Sequence, residues 1–297
     1  MRIAIVGFGE AGQIYAQDLA AVAEVVVWDK KFLASNPAPN AASEADNLRA
    51  RAMQIGVRPA HSLAEALDGA NLLFSLVTAA SALEVAKQAA PLLTREQILL
   101  DFNSVAPDTK HEAAQLVAKG AGDYLDVAVM APVPPKRLAT PLLLGGEQAT
   151  VVAPLLTKLG CSAQAASERI GEVSAIKMCR SVMIKGLEAL TTECLSAARQ
   201  YGVEEAVLNS LHASFPSLGW DDRLPHYLIS RVAEHGVRRA EEMGEVVKTL
   251  QDVGVTASMS QATQQVQARL PAKMQLKSLS YRDLTPFIWQ DAVDRLK

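Results

Sequence analysis

The chain has 297 residues, 49% hydrophobic and 21% charged, with a formal net charge of -3. That is enough apolar material for a large core in two domains, and the near-neutral charge gives no electrostatic case for nucleic acid or an anionic membrane as partner. No apolar run approaches the ~18 residues that a membrane span requires, and strand-forming residues from Arg2 onward leave no room for a leader, so the expected compartment is the cytoplasm.

The first element is a strand, Arg2–Val6, which ends in Gly7-Phe8-Gly9-Glu10-Ala11-Gly12 and passes at once into a helical stretch from Glu10 to Ala21. A dinucleotide pyrophosphate needs this strand, turn and helix. Gly7 turns the chain, Gly9 lets backbone approach the phosphates, and Gly12 lets helix pack closely on strand, with the helix dipole and free N–H groups facing the anion. A second strand, Glu24–Trp28, ends in Asp29, about 20 residues beyond the glycines, where a carboxylate can bond the adenosine ribose. Asp29 favours NAD, whereas Lys30 and Lys31 could reach the 2′-phosphate of NADP.

Phe32 to Asn47 is rich in Ala, Pro, Asn and Ser and reads as a loop. Further strands are expected at Leu72–Val77, Ile98–Phe102, Tyr124–Val129 and Leu142–Leu144, alternating with helices near Ser62–Leu67, Ala80–Leu92, Pro107–Lys119 and Glu147–Leu159. This rhythm predicts a parallel sheet covered on both faces. From Glu172 to Gln200 the chain lacks proline and is apolar at helical spacing, and Gly202 suits a left-handed cap, so one long helix is expected. Helices at Glu204–Ala213, Pro225–Val253 and Ser258–Arg269 follow. The expected fold is an α/β Rossmann-type domain, 1–167, joined by a long interdomain helix to an all-α domain, 168–297. Cys161, Cys179 and Cys194 lack metal spacing, as do the five histidines, so reduced thiols and no structural metal are expected.

These features together resemble the β-hydroxyacid dehydrogenase superfamily, which includes 6-phosphogluconate dehydrogenase, 3-hydroxyisobutyrate dehydrogenase and the imine reductases. Beyond the glycines, Asp101-Phe-Asn103-Ser104-Val-Ala-Pro107 is similar to the family segment that lines the nicotinamide. Gly171 with Lys177 six residues on is similar to the family motif at the start of the interdomain helix. The family's substrate loop is matched only in part by Asp126-Val-Ala-Val129-Met130-Ala131-Pro132, and Ser181 stands where an asparagine is usual. Lys185-Gly186-Leu-Glu188 and Arg231-x-x-x-His235-Gly236-x-Arg238-Arg239 resemble a branch with a phosphogluconate-dehydrogenase-like C-terminal domain of poorly defined function.

The resemblance implies hydride transfer between a nicotinamide and a β-hydroxy acid or related alcohol, with Lys177 as general acid/base. Free lysine is a poor base at neutral pH, and apolar burial would tune it; otherwise Lys177 is a solvated helix lysine. Asn103 and Ser104 are expected at the cofactor or substrate oxygen, or as caps of the helix near Pro107. Val77 and Thr78 are expected under the nicotinamide ribose. Met130, Arg180, Ser181 and His235 are candidate substrate contacts, and the Arg231–Arg239 stretch reads either as an anionic pocket or as a charged face balanced by Glu234, Glu241 and Glu242. The alternatives are imine or ketone reduction on the same architecture and a nucleotide-binding sensor without turnover. Apolar stripes including Val182, Leu187, Leu190 and Leu195 suggest a homodimer.

Overall fold

The computed structural model describes residues 1–33, 44–220 and 222–296, and divides into two compact units, Met1–Lys177 and Met178–Lys297. The division falls inside the long helix, ten residues beyond the boundary expected after residue 167, because the first turns of that helix pack with the sheet unit.

In the first unit eight strands form one sheet: β1 Arg2–Val6, β2 Glu24–Trp28, β3 Arg58–Pro59, β4 Leu72–Ser75, β5 Ile98–Asp101, β6 Asp123–Val129, β7 Pro141–Gly145 and β8 Ser162–Ser167. Their order is β3-β2-β1-β4-β5-β6-β7-β8. Pairing is parallel from β3 through β6, as the continuous apolar runs dictate for strands buried on both faces. The expected parallel sheet holds through β6, after which β7 runs antiparallel to β6 and β8 lies parallel to β7. Only the short helix α6, Val133–Lys136, and a 3-10 turn join β6 to β7, too little chain for a crossover. The edge strands β3 and β8 carry no strand signal in the sequence. Two residues carry no period, and Ser162–Ser167 (SAQAAS) has no large apolar side chain.

The sheet is covered by α1 Glu10–Leu19, α2 Glu44–Gln54, α3 Leu63–Leu67, α4 Ala79–Ala89, α5 Pro107–Ala118 and α7 Ala149–Lys158. Residues 34–43 of the expected loop lie outside the described residues, and the reading of Glu44–Asn47 as loop is corrected, since these residues open α2. The core runs through Ile3, Ile5, Phe74, Leu100 and Leu125, with Tyr15, Phe74 and Phe102 meeting edge to face or tilted beneath α1. Each such aromatic contact adds about 0.5–1.5 kcal/mol beyond area burial.

In the second unit α8, Glu172–Tyr201, continues from the first and ends where Gly202 takes a φ of 69°, the left-handed cap expected there. It is followed by α9 Glu204–Ser214, α10 Leu224–Asp252, α11 Ser258–Leu276 and α12 Trp289–Arg295. Helix α12 is not among the expected elements, and α11 runs past its expected end at Arg269 because Pro271 is tolerated inside it. Helices α10 and α11 pack closely at Gly236, where a Cβ would lie 2.3 Å from the Gln267 carbonyl oxygen. Leu195, expected on a dimer stripe, is fully buried with Ile229, Trp289 and Val293, and Val182 packs beside Met178, Met243 and Val246. Among the described residues no helix is long and apolar enough to cross a membrane.

Candidate functional site

The sheet order reverses between β1 and β4, and ligands of open α/β sheets bind outside the carboxyl ends of the strands at such a switch point. There β1 turns at Gly7 with a φ of 98°, and a Cβ on Gly7 would lie 2.3 Å from the Leu76 carbonyl oxygen. A Cβ on Gly12 would lie 2.0 Å from the Gly7 oxygen, so helix and turn are locked together. Gly9 differs, for no atom lies within 4 Å of its hypothetical Cβ. It stands at the N-cap of α1 without any side-chain cap, leaving exposed backbone and a positive helix end. Phe8 is buried while Gly9 and Glu10 are exposed and Ala11 is half-buried, so the backbone at Gly9 is open to a ligand. This arrangement fits a dinucleotide pyrophosphate.

Asp29 is joined to the turn directly. Its Oδ2 accepts the Phe8 amide at 2.7 Å and its Oδ1 accepts the Lys31 amide at 2.9 Å. Lys30 donates to Ser81 Oγ at 3.1 Å, and Lys31 pairs with Glu44 at 2.7 Å. Thr78 is exposed, and its hydroxyl also lies near Ser81.

Val77 and Asn103 come together, the Val77 amide donating to Asn103 Oδ1 at 2.7 Å. Asn103 is buried, and its Nδ2 donates to Ser75 Oγ at 2.8 Å and to Asp101 Oδ1 at 2.6 Å. Its side-chain amide nitrogen thus joins the ends of β4 and β5. Neither Asn103 nor Ser104 caps α5, whose N-cap is Ala106 with no side-chain bond. Ser104 is half-buried and accepts a hydrogen bond from Lys177 Nζ at 2.5 Å. So the strand-end serine and the helix lysine, 73 residues apart in sequence, form one polar pair at the ligand end of the sheet.

A buried ionic cluster that sequence reasoning missed bonds the chain segments that carry this pair. The Lys110 ammonium, wholly buried on α5, donates to the Asp101 carbonyl at 2.7 Å and stands 3.1 Å from Asp101 Oδ1 and 3.3 Å from Asp126 Oδ1. Asp126 Oδ2 accepts the Gly171 and Ser174 amides, both at 3.2 Å, and its Oδ1 accepts the Ser174 hydroxyl at 2.7 Å. Asp126 on β6 thus serves α8 as an N-cap from another strand. Gly171 is required there, with a φ of 87° and His111 Nε2 2.8 Å from a hypothetical Cβ. The Tyr124 hydroxyl donates to Asp101 Oδ2 at 2.7 Å, and burial together with that carboxylate holds the phenol well above its ordinary value. The available signal was an aspartate inside each of two apolar strands, since a buried carboxylate demands a partner.

The other expected substrate contacts are placed as follows. Met130 is half-buried and continues the β6–β7 ladder through its amide to the Pro141 oxygen at 2.9 Å. Arg180 is exposed. Ser181 is buried and accepts Lys185 Nζ at 3.0 Å. Lys185 is also 3.2 Å from Glu242, Arg238 is 2.7 Å from Glu242, Arg231 pairs with Glu234, and Arg239 is 2.5 Å from Glu188. Each basic group of the Arg231–Arg239 stretch meets a carboxylate, the balanced alternative, although the acids are Glu188, Glu234 and Glu242 rather than Glu241. His235 lies against Arg231 Nη1 at 3.1 Å.

Fold and turn geometry define a Rossmann-type nucleotide-binding protein with a helical second domain. Residues 2–168 match the family described as the NAD binding domain of 6-phosphogluconate dehydrogenase, and residues 198–270 match a domain of unknown function, DUF1932. The chain belongs to the former family and, within the β-hydroxyacid dehydrogenase superfamily, to the branch carrying that C-terminal domain. It is similar to the crystal structure of a conserved hypothetical protein from Sinorhizobium meliloti, at 39% identity and a TM-score of 0.75, over 100% of this chain and 97% of that one. It is also similar to a conserved protein of unknown function whose structure is described as similar to 3-hydroxyacid dehydrogenases, at 26% identity and TM-score 0.71 over 100% of both chains. A Mycobacterium tuberculosis 3-hydroxyisobutyrate dehydrogenase shares the fold, with 16% identity and TM-score 0.73 over 100% of this chain and 99% of that one. Family and fold support a nicotinamide cofactor and a dehydrogenase type of chemistry.

Proposed function

We propose that the protein is an NAD(P)-dependent dehydrogenase that interconverts a β-hydroxy acid or related alcohol and its carbonyl form, with Lys177 as general acid/base. The observation that carries this reading is the 2.5 Å hydrogen bond between Lys177 Nζ and Ser104 Oγ at the carboxyl ends of the parallel strands. Alcohol oxidation needs a group within hydrogen-bond reach of the hydroxyl to take its proton, and Lys177 in its amine form does that. Ser104 orients the same oxygen, and in the reverse direction the Lys177 ammonium returns the proton to the carbonyl oxygen. The bound nicotinamide supplies the hydride acceptor. Gly7, Gly9, Gly12 and the first amides of α1 would hold its pyrophosphate, and Asp29 its adenosine ribose, with Val77 and Thr78 beside the nicotinamide ribose.

We take NAD as the preferred cofactor. Both Asp29 oxygens are held by backbone amides, which fixes the carboxylate at the end of β2, and a fixed negative charge there would disfavour a 2′-phosphate. We also take the active form to be a homodimer, supported by exposed Met183 and Leu190 on α8. A monomer by light scattering would overturn that assignment.

The deciding experiment follows reduction of NAD and NADP by absorbance across β-hydroxy acids, aryl alcohols, 6-phosphogluconate and amines, with Lys177→Ala as control. Turnover of an alcohol that is lost in the variant supports the reading. Tight cofactor binding with no alcohol oxidised, or turnover undiminished in Lys177→Ala, overturns it.

A further inference from the structure

We propose that Lys110 is a positioning residue for the Lys177–Ser104 pair, tying together through Asp101 and Asp126 the two chain segments that present those side chains. The inference deepens the dehydrogenase reading and rests on it for its catalytic meaning. The two carboxylates do separate jobs. Asp101 Oδ1 accepts the Asn103 amide at 2.9 Å, shaping the turn that sets Ser104 three residues after β5. Asp126 accepts the Gly171 and Ser174 amides, holding the first turn of α8 one turn before Lys177. Lys110 is the cation they share, at 3.1 and 3.3 Å, and its side chain has no exposed surface.

A fully buried ammonium is costly, and its retention follows when it is paired on several sides, as here by two carboxylates and the Asp101 carbonyl. Without it, two like charges would face each other in a medium that screens them poorly. One would take a proton or the two would move apart. Either response loosens a grip on one member of the Lys177–Ser104 pair. Displacements of about 1 Å at reacting groups cost on the order of 100-fold in rate.

The test uses the full chain, with Lys110→Met as a linear uncharged replacement and Ser174→Ala as a milder one that removes one bond to Asp126 and no charge. Three quantities are compared with wild type: cofactor affinity by fluorescence, kcat against KM, and the side-chain NMR signals of isotopically labelled lysines, with Lys177 assigned by its loss in Lys177→Arg. For Lys110→Met we expect a kcat lower by about 100-fold, a cofactor affinity changed less than about twofold, and a displaced Lys177 signal. Unchanged kcat and an unmoved Lys177 signal in the folded variant would overturn the proposal. If Lys110→Met does not fold, Ser174→Ala decides: a displaced Lys177 signal supports the tie and an unmoved one rejects it. The NMR arm needs no substrate. Undiminished turnover in Lys177→Ala sinks the dehydrogenase reading and the catalytic meaning of the tie, while a displaced signal still shows the tie itself.

Discussion

The two carboxylate oxygens of Glu188 take the same Arg239 nitrogen, Nη1, at 2.6 and 2.5 Å inside the helical unit, joining α8 to α10. Gln267 on α11 donates to the same carboxylate at 3.0 Å, so three helices meet on one buried charge. Burial raises the Glu188 carboxyl above its ordinary value, opposed by the Arg239 charge. Removing one member of such a pair leaves the other uncompensated, at about 3–5 kcal/mol. Glu188→Leu is therefore expected to lower the denaturant midpoint sharply, and Glu188→Leu with Arg239→Met to recover most of the loss. Equal destabilisation in the single and double variants would show that the uncompensated Arg239 charge is not what costs the stability.

His235 carries a pH dependence of defined sign. Burial, and then the Arg231 charge, push its imidazole down from 6.5 to about 4, with Glu234 pulling the other way. Arg231 donates to Nε2, so the folded state holds the neutral ring with its proton on Nδ1. The folded value is depressed, so this contribution is complete above about 6.5 and is lost as pH falls toward 4. His235→Gln is expected to flatten the stability profile across that window. An unaltered profile would contradict this assignment.

Gly9 and Gly12 separate binding from folding. An added Cβ at Gly9 meets nothing within 4 Å, so Gly9→Ala should melt near wild type yet bind NAD at least about tenfold more weakly. At Gly12 the Cβ would lie 2.0 Å from the Gly7 oxygen, so Gly12→Ala should lose thermal stability as well as cofactor. Calorimetric melting and NAD titration measure both. Unimpaired NAD binding in Gly9→Ala would remove the turn from the cofactor site.

Asp29 tests cofactor choice. Asp29→Asn keeps an acceptor for one of the two amides and removes the charge. The ratio of NADP to NAD affinity is expected to rise about tenfold, the scale of one unscreened charge interaction near the surface. A constant ratio would assign discrimination elsewhere.

The sequence was legible where period and punctuation were strong. β1 and β2 fall at their expected residues, α8 starts at Glu172 as expected, and Gly202 caps it. It was not legible where the signal was absent. Arg58–Pro59 became a strand only because β2 offers an edge, and the β6–β7 reversal follows from a connection too short to cross the sheet. Within the candidate site, Lys177 and Ser104 were both readable as polar residues at structural boundaries, whereas their bond was not. Lys110 carried no local cue beyond its place on a helix.

What the sequence by itself determined is the class of fold and the nucleotide turn, because both rest on local rules: strand and helix periods, and glycines where backbone must bend or be approached. What only the tertiary structure decided is the partnership of charges. Asp101, Lys110, Asp126 and Ser174 lie on four different elements, and Glu188, Arg239 and Gln267 on three. A buried ion must find its counter-charge wherever packing places one, and that distance in space has no counterpart in distance along the chain.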